Sequence, residues 1–393
     1  MVRAEARSVT PPDRHYFFGY YEKSPWNETE EWLLAHGVDF DARSPGATDS
    51  ADICLIDNET GSTTCLGTTT AWNFQQGAML QWLGPEYESR VVYNDRERGS
   101  FVARVLDLTS GECRTLSRPI YAITPDGDRS ITINFRRLHQ TRPGYGYRPS
   151  NSEQDVDPAP ADDGLFALHI DENSDRLLVS LADLAALDPR ESMVGATHWI
   201  NHPQISPDGE RVGFLHRWHD PSGERCHRLY VLNLSSGNLS CLVDGLASHY
   251  DWRSPRELVA WTREETTGTA FHRYDLVNGD VSVVLPELID EDGHNSFAPD
   301  DERWMVCDTY ADEARRRSLF LYDLKETTRI DLGSFHSPAV PKRPLRCDLH
   351  PRWNRDGTMI CIDSTHEGHR GMYVFDVSDI TSRSRSRSGQ GNS

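Results

Sequence analysis

The sequence predicts an all-β fold, a seven-bladed β-propeller made of four-stranded antiparallel blades. Three observations predict it. A unit of about 45 to 60 residues recurs along the chain. Each unit holds alternating, strand-like runs around an Asp-Gly-type turn, and helical periodicity over roughly a dozen residues or more is nearly absent. One such sheet cannot bury both of its faces, whereas sheets stacked radially around a channel can.

The first three units each contain a strand, a turn and a second strand, followed by an alternating pair of strands. The first contains SPWNETEEWLLAH and ADICLIDNETGSTTCL, and the second contains LQWLGPEYESRVVYN and VARVLDLTSGECRTL. The third contains YAITPDGDRSITINF and LFALHI. An insertion rich in Pro, Asp and Gly, at about residues 140–163, separates these two runs.

The last four units repeat the same frame. The fourth contains QISPDGERVGFLHRW and RLYVLNLSSGNLSCLV, and the fifth contains DWRSPRELVAWT and FHRYDLVNGDVSVVL. The sixth contains SFAPDDERWMVCDTY and SLFLYDLKETTRIDL, and the seventh contains RWNRDGTMICIDSTH and GMYVFDV. The seven units begin near Tyr16, Thr70, Arg118, Ser192, Leu246, Glu291 and Leu345.

These units predict one propeller domain over residues 15–380. Residues 1–14 are predicted to form an N-terminal arm. Residues 381–393, TSRSRSRSGQGNS, are a low-complexity segment and are predicted to be a disordered tail.

Composition excludes several classes of partner. The net charge of −20 argues against nucleic acid, whose phosphates would be repelled. No apolar run reaches the roughly 18 residues of a membrane helix, and the N-terminus has no apolar signal region, so we expect a cytoplasmic protein without a membrane partner. The basic residues are nearly all arginine, which fits either a halophilic source or a GC-rich genome. The pattern specifies no oligomeric state.

Four histidines occupy one position in four successive units. His202, His294 and His350 each precede an Asp of the turn by six residues, and His249 has the same frame with Pro255 in place of the Asp. Because equivalent strand entries lie near the channel mouth, we expect these side chains to converge on one pocket. Histidine is the commonest metal ligand and the natural acid–base near neutral pH. The repetition favours a functional cluster, with capping of turns or bonding between blades as the alternative.

Aromatic and polar side chains near this column are candidates for binding sugars, because such side chains stack on rings and hydrogen-bond to hydroxyl groups. For each of them, blade core or solvated surface is the alternative. Arg217 follows the His202 turn and could, with Arg136 and Arg137, create a positive pocket for an anionic substrate. The candidates for substrate binding are Tyr20, Tyr21, Trp72, Gln76, Arg136 and Tyr250.

The turn-centred repeats resemble those of TolB-type propellers. The stretches SHYDW, GHNSFAPD and DLHPRW, in three successive units, resemble the oligogalacturonate lyases, which are cytoplasmic seven-bladed propellers that cleave pectic oligouronides by β-elimination. The resemblance implies that His249 is the catalytic base, that Arg217 assists it, and that His294 and His350 bind a divalent metal such as manganese. The family carries a glutamine and closely spaced histidines in its last metal blade. This chain has Asp348 and His350 there, which makes Asp348 a candidate oxygen ligand.

The leading hypothesis is therefore a metal-assisted lyase that acts on uronate-containing oligosaccharides. A proton next to a uronate carboxylate is weakly acidic, and positive charge at that carboxylate stabilises the enolate-like charge left behind. His202 is a further catalytic candidate, as a second base, a ligand or a structural cap. Two alternatives stay open: a glycan hydrolase that uses a metal-activated water, and a non-catalytic propeller that binds glycans or serves as an assembly platform.

Overall fold

Seven four-stranded antiparallel sheets form the protein in the computed structural model, which describes residues 5–150, 156–299 and 301–381. The prediction of a seven-bladed β-propeller is confirmed. In six of the sheets the strand order follows the chain, because each blade is a meander of consecutive strands joined by short turns.

The first three blades contain most of the non-repetitive chain. Blade 1 consists of His15–Phe17, Trp32–Val38, Ala51–Asp57 and Thr63–Thr69. Blade 2 consists of Gln81–Trp82, Arg90–Glu97, Ser100–Asp107 and Cys113–Leu116. Blade 3 consists of Ala122–Ile123, Arg129–Thr132, Gly164–His169 and Ser174–Ser180.

Blades 4 to 6 are more regular, with long inner strands in blades 4 and 5. Blade 4 consists of His198–Ile205, Arg211–His219, Arg225–Asn233 and Leu239–Asp244. Blade 5 consists of Ala247–Ser254, Glu257–Glu264, Gly268–Asp275 and Val281–Val283. Blade 6 consists of Asn295–Ala298, Asp301–Asp308, Arg316–Asp323 and Thr328–His336.

Blade 7 takes its outer strand from the other end of the chain. Its three inner strands are Arg352–Trp353, Met359–Ser364 and Gly371–Asp376, and Arg7–Ser8 pairs antiparallel with the last of these. This corrects the predicted arm, because part of residues 1–14 belongs to the propeller. The strand covers backbone groups that would otherwise form an open edge. Of the predicted tail, all but Thr381 lies outside the described residues.

The helices are short and connect blade strands. Phe135–Thr141 opens the insertion of blade 3, where the Asn134 side chain caps its first turn by accepting from the N–H groups of Arg136 and Arg137. Leu181–Ala186 and two 3₁₀ turns, Glu191–Met193 and Arg343–Leu345, lie in other connections. Among the described residues, no helix has the length and apolar character needed to cross a membrane.

A buried histidine ties blade 1 to the loop that leads into blade 2. His36 accepts a hydrogen bond at Nε2 from the N–H of Ala78, at 2.9 Å. Gly77, with φ of 59°, packs so closely that a Cβ there would lie 2.2 Å from Cε1 of the His36 ring. Only glycine fits this approach and this φ without strain. The contact fixes the loop that carries Gln76 towards the channel.

We predict that His36 makes stability fall on acidification. Burial lowers its pKa to about 4, against about 6.5 in an unfolded chain. Its contribution is complete above pH 6.5 and is lost as the pH falls from 6.5 to 4, because only the unfolded chain then binds the proton readily. The free energy of unfolding, measured with urea, should fall between pH 6.5 and pH 4 by up to about 3 kcal/mol less in His36→Gln than in wild type. Equal losses in the two proteins would contradict this.

We also predict that the N-terminal strand contributes directly to stability. Val9, next to that strand, is 1% exposed and donates its N–H to the carbonyl of Met372 at 3.0 Å. Val9→Ala should lower the free energy of unfolding by about 1–3 kcal/mol through lost burial and the cavity left behind. Val277→Ala is the matched control, because Val277 is 67% exposed and should tolerate the change. A Val9 variant as stable as this control would disprove the contribution.

Candidate metal and active site

The histidine column converges on the channel, as its repeat position predicts. The ring centroids of His249 and His294 are 4.2 Å apart, and those of His294 and His350 are 4.3 Å apart. Tyr20 stacks on His202 at 4.6 Å and meets the edge of His350 at 4.9 Å. All five side chains are buried.

An unusual backbone conformation turns the column into the channel. His202 and His350 adopt φ of 52° and 46°, and Met79, at the same position of blade 2, adopts 53°. Non-glycine residues rarely adopt positive φ, and here it recurs at the column position of blades 2, 4 and 7, whereas His249 and His294 do not adopt it. The inner strand of blade 4 has a register shift across His202, and that of blade 5 has one across His249. Such bulges redirect side chains next to functional sites.

Among the described residues, two column histidines each have a buried ring nitrogen without a hydrogen-bond partner. His294 donates from Nδ1 to Asp308 Oδ1 at 2.8 Å, and His350 donates from Nδ1 to the Gly19 carbonyl at 2.7 Å. These bonds fix the tautomer, so each Nε2 is left as an acceptor. Within the described part of the chain, neither buried Nε2 has a hydrogen-bond partner. Buried polar atoms are normally satisfied, so this pair indicates a missing ligand.

Asp308 orients both histidines. Besides the His294 ring, its carboxylate accepts the N–H of His294 at 2.8 Å and the N–H of His350 at 3.1 Å. Burial opposes protonation of the His294 ring, but Asp308 outweighs it and raises the pKa of His294. A carboxylate behind a histidine in this way increases the basicity of the nitrogen that faces a metal.

Asp348 supplies an oxygen at the same place. Burial opposes its ionisation, but Arg346 and Arg317 outweigh burial and hold the pKa of Asp348 far below its ordinary value. Arg346 donates from Nε at 2.5 Å, and Nη1 of Arg317 lies 2.7 Å from the other carboxylate oxygen.

Together these groups fit a divalent cation. Candidate ligand atoms of His294, Asp348 and His350 all lie within 4.8 Å of one another. Two imidazole nitrogens and one carboxylate oxygen form a donor set that suits Mn²⁺ and similar ions and leaves positions open for substrate.

His249 has the environment of a general base. Its Nδ1–H donates to Asp292 Oδ1 at 2.9 Å, and its Nε2 accepts from the Tyr310 hydroxyl at 3.3 Å. Burial lowers the pKa of His249, and Asp292 opposes that shift only in part. The ring is therefore neutral at neutral pH and keeps a lone pair on Nε2.

A cationic cavity of about 190 Å³ lies against this base. Tyr20, His202 and Tyr310 contribute to its wall. Among the described residues that line it, Asp292 is the one carboxylate, and His249 already engages it. The cavity is also lined by four arginines, Arg142, Arg217, Arg225 and Arg343.

Three of the predicted binding residues contact His202 or one another rather than the cavity. Nε2 of Gln76 lies 3.3 Å from Nδ1 of His202. The Tyr250 hydroxyl donates to the carbonyl of His202, and the Tyr21 hydroxyl donates to the carbonyl of Tyr250 at 2.8 Å. Of these three residues, none lines the cationic cavity.

Tyr20 and Tyr21 are adjacent side chains that line different cavities. Their ring centroids are 4.7 Å apart. Tyr20 faces the cationic cavity, whereas Tyr21 lines a second cavity of about 390 Å³. That second cavity is lined by the apolar residues that follow the column by three positions, Ile205, Trp252, Phe297 and Trp353.

The structure places two predicted binding residues elsewhere. Trp72 packs among aromatic rings of the blade 1 core and donates from Nε1 to the Asp49 carbonyl at 2.8 Å. Arg136 lines a separate surface cavity beside Arg118. Neighbouring Arg137 is held by Asp163 at 2.8 Å. The helix that carries these two arginines directs them away from the column, so the positive charge of the cavity comes from other residues.

The repeat pattern of the sequence also indicates Asp308, which was not among the predicted site residues. MVCD ends the second strand of blade 6, and CID lies one residue before the end of the second strand of blade 7, so Asp308 has a counterpart in Asp363. Asp363 accepts the N–H groups of Phe18 and Gly19 at 3.2 Å. The other residues missed, among them Asp292 and Arg142, lie in connections outside the repeat frame.

We predict that Asp308 controls metal affinity without being a ligand. Asp308→Asn should weaken Mn²⁺ binding by about 10–100-fold, because the amide orients the ligands less well and leaves His294 less basic. His294→Ala should abolish stoichiometric binding. Titration with Mn²⁺, followed by elemental analysis, measures both. Exposed Asp376→Asn is the control and should bind like wild type. Wild-type protein that takes up no divalent metal would refute the site.

Comparison with known proteins supports the fold assignment. No family model and no curated protein matches the chain. Among solved structures, an oligogalacturonate lyase from Vibrio parahaemolyticus matches at 17% identity, with a TM-score of 0.65 and 96% of each chain covered. An oligogalacturonate lyase in complex with manganese matches at 15% identity, with a TM-score of 0.66, and the match covers 95% of this chain and 93% of that one.

Peptidase propellers also match. A structure from a study of two prolyl endopeptidases matches at 12% identity, with a TM-score of 0.54, and the match covers 91% of this chain and 49% of that one. The resemblance inferred from the repeats is thus confirmed as a shared propeller fold, and among the proteins that share it are oligogalacturonate lyases.

Proposed function

We propose that this protein is a metal-assisted lyase that cleaves uronate-containing oligosaccharides by β-elimination. The observation that carries the proposal is the pair of Nε2 atoms on His294 and His350 that have no partner among the described residues, next to a neutral, carboxylate-oriented His249. The shared fold with an oligogalacturonate lyase solved in complex with manganese supports the same reaction class.

The charge of the cavity matches an acidic sugar. Arg217 is 3% exposed, and within the described chain its Nη1 has no partner. Burial and, next, the charge of Arg142 lower the pKa of Arg217 to about 9, which leaves it cationic at neutral pH. An anionic group would relieve this uncompensated charge, and guanidinium groups bind carboxylates with good geometry.

The reaction follows from the placement of the base. Nε2 of His249 takes the proton from the carbon next to the uronate carboxylate. The electron pair of that C–H bond forms a C4–C5 double bond, and the C4–oxygen bond to the neighbouring sugar breaks with its electrons on the oxygen, which takes a proton from water. Asp292 accepts the Nδ1–H of His249 and so stabilises the imidazolium that forms. A divalent cation held by His294, Asp348 and His350 would supply positive charge at the substrate carboxylate.

His202 suits a different role from His249. Its Nδ1 lies 3.3 Å from both Gln76 Nε2 and the Tyr121 hydroxyl, and its Nε2 faces the Tyr20 hydroxyl at 3.5 Å. Burial lowers the pKa of His202 well below its ordinary value. We propose that the neutral His202 ring forms part of the cavity wall and hydrogen-bonds to the sugar. His249 alone then acts as the base.

We predict that the protein, supplied with Mn²⁺, converts oligogalacturonates to unsaturated products that absorb ultraviolet light. His249→Gln should reduce kcat by about 10²–10⁴-fold, the usual contribution of a general base. His366→Gln is the matched control, because half-buried His366 packs against Phe335 of blade 6 and Tyr373 of blade 7, away from the column. Its kcat should equal that of wild type.

The products separate the remaining functions. Saturated cleavage products would replace the lyase with a hydrolase on the same scaffold. Binding without cleavage would identify a non-catalytic glycan-binding propeller. Neither outcome is compatible with the elimination proposed above.

A further inference from the structure

A ring of mostly polar side chains surrounds the second cavity, which has a volume of about 390 Å³. In six of the seven units, the residue two positions after the column lines this cavity. Residues two apart on an extended chain point to the same side, so this ring follows the histidine column along the channel. Its members are Glu22, Gln81, Ala122, Gln204, Asp251 and Ser296.

Two side chains of this ring have buried oxygens that accept no hydrogen bond. The Glu22 side chain is 4% exposed, and Lys23 donates from Nζ to its Oε1 at 2.5 Å. Among the described residues, Oε2 of Glu22 is buried and has no partner. Oε1 of Gln204, a residue that is 5% exposed, is in the same state. Leaving buried acceptors unpaired is costly, so a ligand that donates to them gains free energy.

Asp251 supplies a second carboxylate to the ring. Its Oδ2 accepts the N–H of Phe297 at 3.0 Å. Among the described residues, no arginine, lysine or histidine forms an ion pair with it. Burial raises the pKa of Asp251 to about 7, and the charge of Glu22 adds to the shift. A cation bound in the cavity would favour the ionised carboxylate, which the fold leaves without a counter-ion.

The two arginines that line the cavity are held by acids outside it. Arg253 donates from Nη1 to Glu257 Oε2 at 2.8 Å, and Nε of Arg355 lies 3.8 Å from Glu28 Oε2. Neither glutamate lines the cavity. Among the described lining residues, Lys23 therefore remains as the one cation available to two carboxylates, which leaves a place for one further positive charge.

An ammonium group fits this place better than a metal ion. The ammonium of Lys23 already contacts a carboxylate of the ring, and it lies 4.9 Å from the centre of the Tyr121 ring. Among the described residues, the one group of three or more His, Cys, Asp or Glu side chains close enough to hold a metal ion is the group at His294. The cavity is much larger than a single ion, and apolar residues such as Ile205 and Phe297 also line it.

We infer that the second cavity binds an aliphatic primary amine as its ammonium ion. Glu22 and Asp251 hold the charged group, and the apolar part of the ligand lies against Ile205, Trp252 and Phe297. Among the described residues, the linings of this cavity and of the cavity beside His249 share no side chain, so this binding is independent of the proposed lyase reaction.

The test compares butylammonium with 1-butanol, which has nearly the same shape and no charge. Ligand-observed NMR titration of the full-length protein at pH 8 should show that butylammonium binds about tenfold or more tightly than the alcohol. Glu22→Gln and Asp251→Asn should each reduce this preference about tenfold without weakening binding of the alcohol. Glu302→Gln is the matched control and should keep the full preference, because Glu302 is 57% exposed and does not line the cavity.

The affinity should also depend on pH through Asp251. With a pKa of about 7, this carboxyl is about 10% ionised at pH 6 and about 90% ionised at pH 8. Butylammonium competes with the proton, so its affinity should rise about tenfold from pH 6 to pH 8 in wild type and stay nearly constant in Asp251→Asn. The other charged groups that line the cavity, Glu22, Lys23, Arg253 and Arg355, are present in both proteins, so the difference between the two profiles isolates Asp251.

Three results would overturn the inference. One is equal affinity of wild type for the two probes, and another is a preference unchanged in both the Glu22 and Asp251 variants. The third is displacement of butylammonium by one equivalent of Ca²⁺, which would make the ring a metal site instead. That titration uses His294→Ala protein, in which the other candidate cation site is removed.

Discussion

In several blades, one side chain accepts a hydrogen bond from a backbone N–H group at the start of the next blade. The candidate site depends on these bonds. Asp308 of blade 6 accepts the N–H of His350 at the column position of blade 7. Asn94 of blade 2 accepts the N–H of Ile120, the equivalent residue of blade 3, at 2.7 Å. His36 and Asp363 bind N–H groups close to that position in blades 2 and 1. These bonds satisfy backbone donors at the inner edge, where strands are too short to pair fully, and so fix where each column residue begins.

The same constraint joins architecture to chemistry. Where the acceptor is a carboxylate, as at Asp308, it also orients and polarises an imidazole in the channel. One residue thereby holds two blades together and provides the orientation and basicity that the proposed metal site requires of His294, because both tasks use a buried carboxylate beside an N–H group. His249 follows the same logic with Asp292, which comes from the connection into the next blade rather than from a strand.

Repetition explains which features were predictable. The seven blades and the four histidines recur at one period, so a single sequence revealed both. The strand Arg7–Ser8 is too short to carry a pattern, and its partner lies at the far end of the chain, so its place in blade 7 could not be predicted. Trp72 was assigned to sugar binding because aromatic rings suit both sugars and cores, and only packing decides between them. Arg142 comes from an insertion that follows no repeat, and its position depends on contacts with a distant turn.

The pair formed by Tyr20 and Tyr21 has a consequence for where a ligand can bind. Tyr20 lines the cationic cavity and Tyr21 lines the second cavity, and among the described residues no side chain lines both. For the lyase proposed above, the reacting sugar would therefore lie in the cavity that His249 and Tyr20 line, on the opposite side of the tyrosine pair from the second cavity.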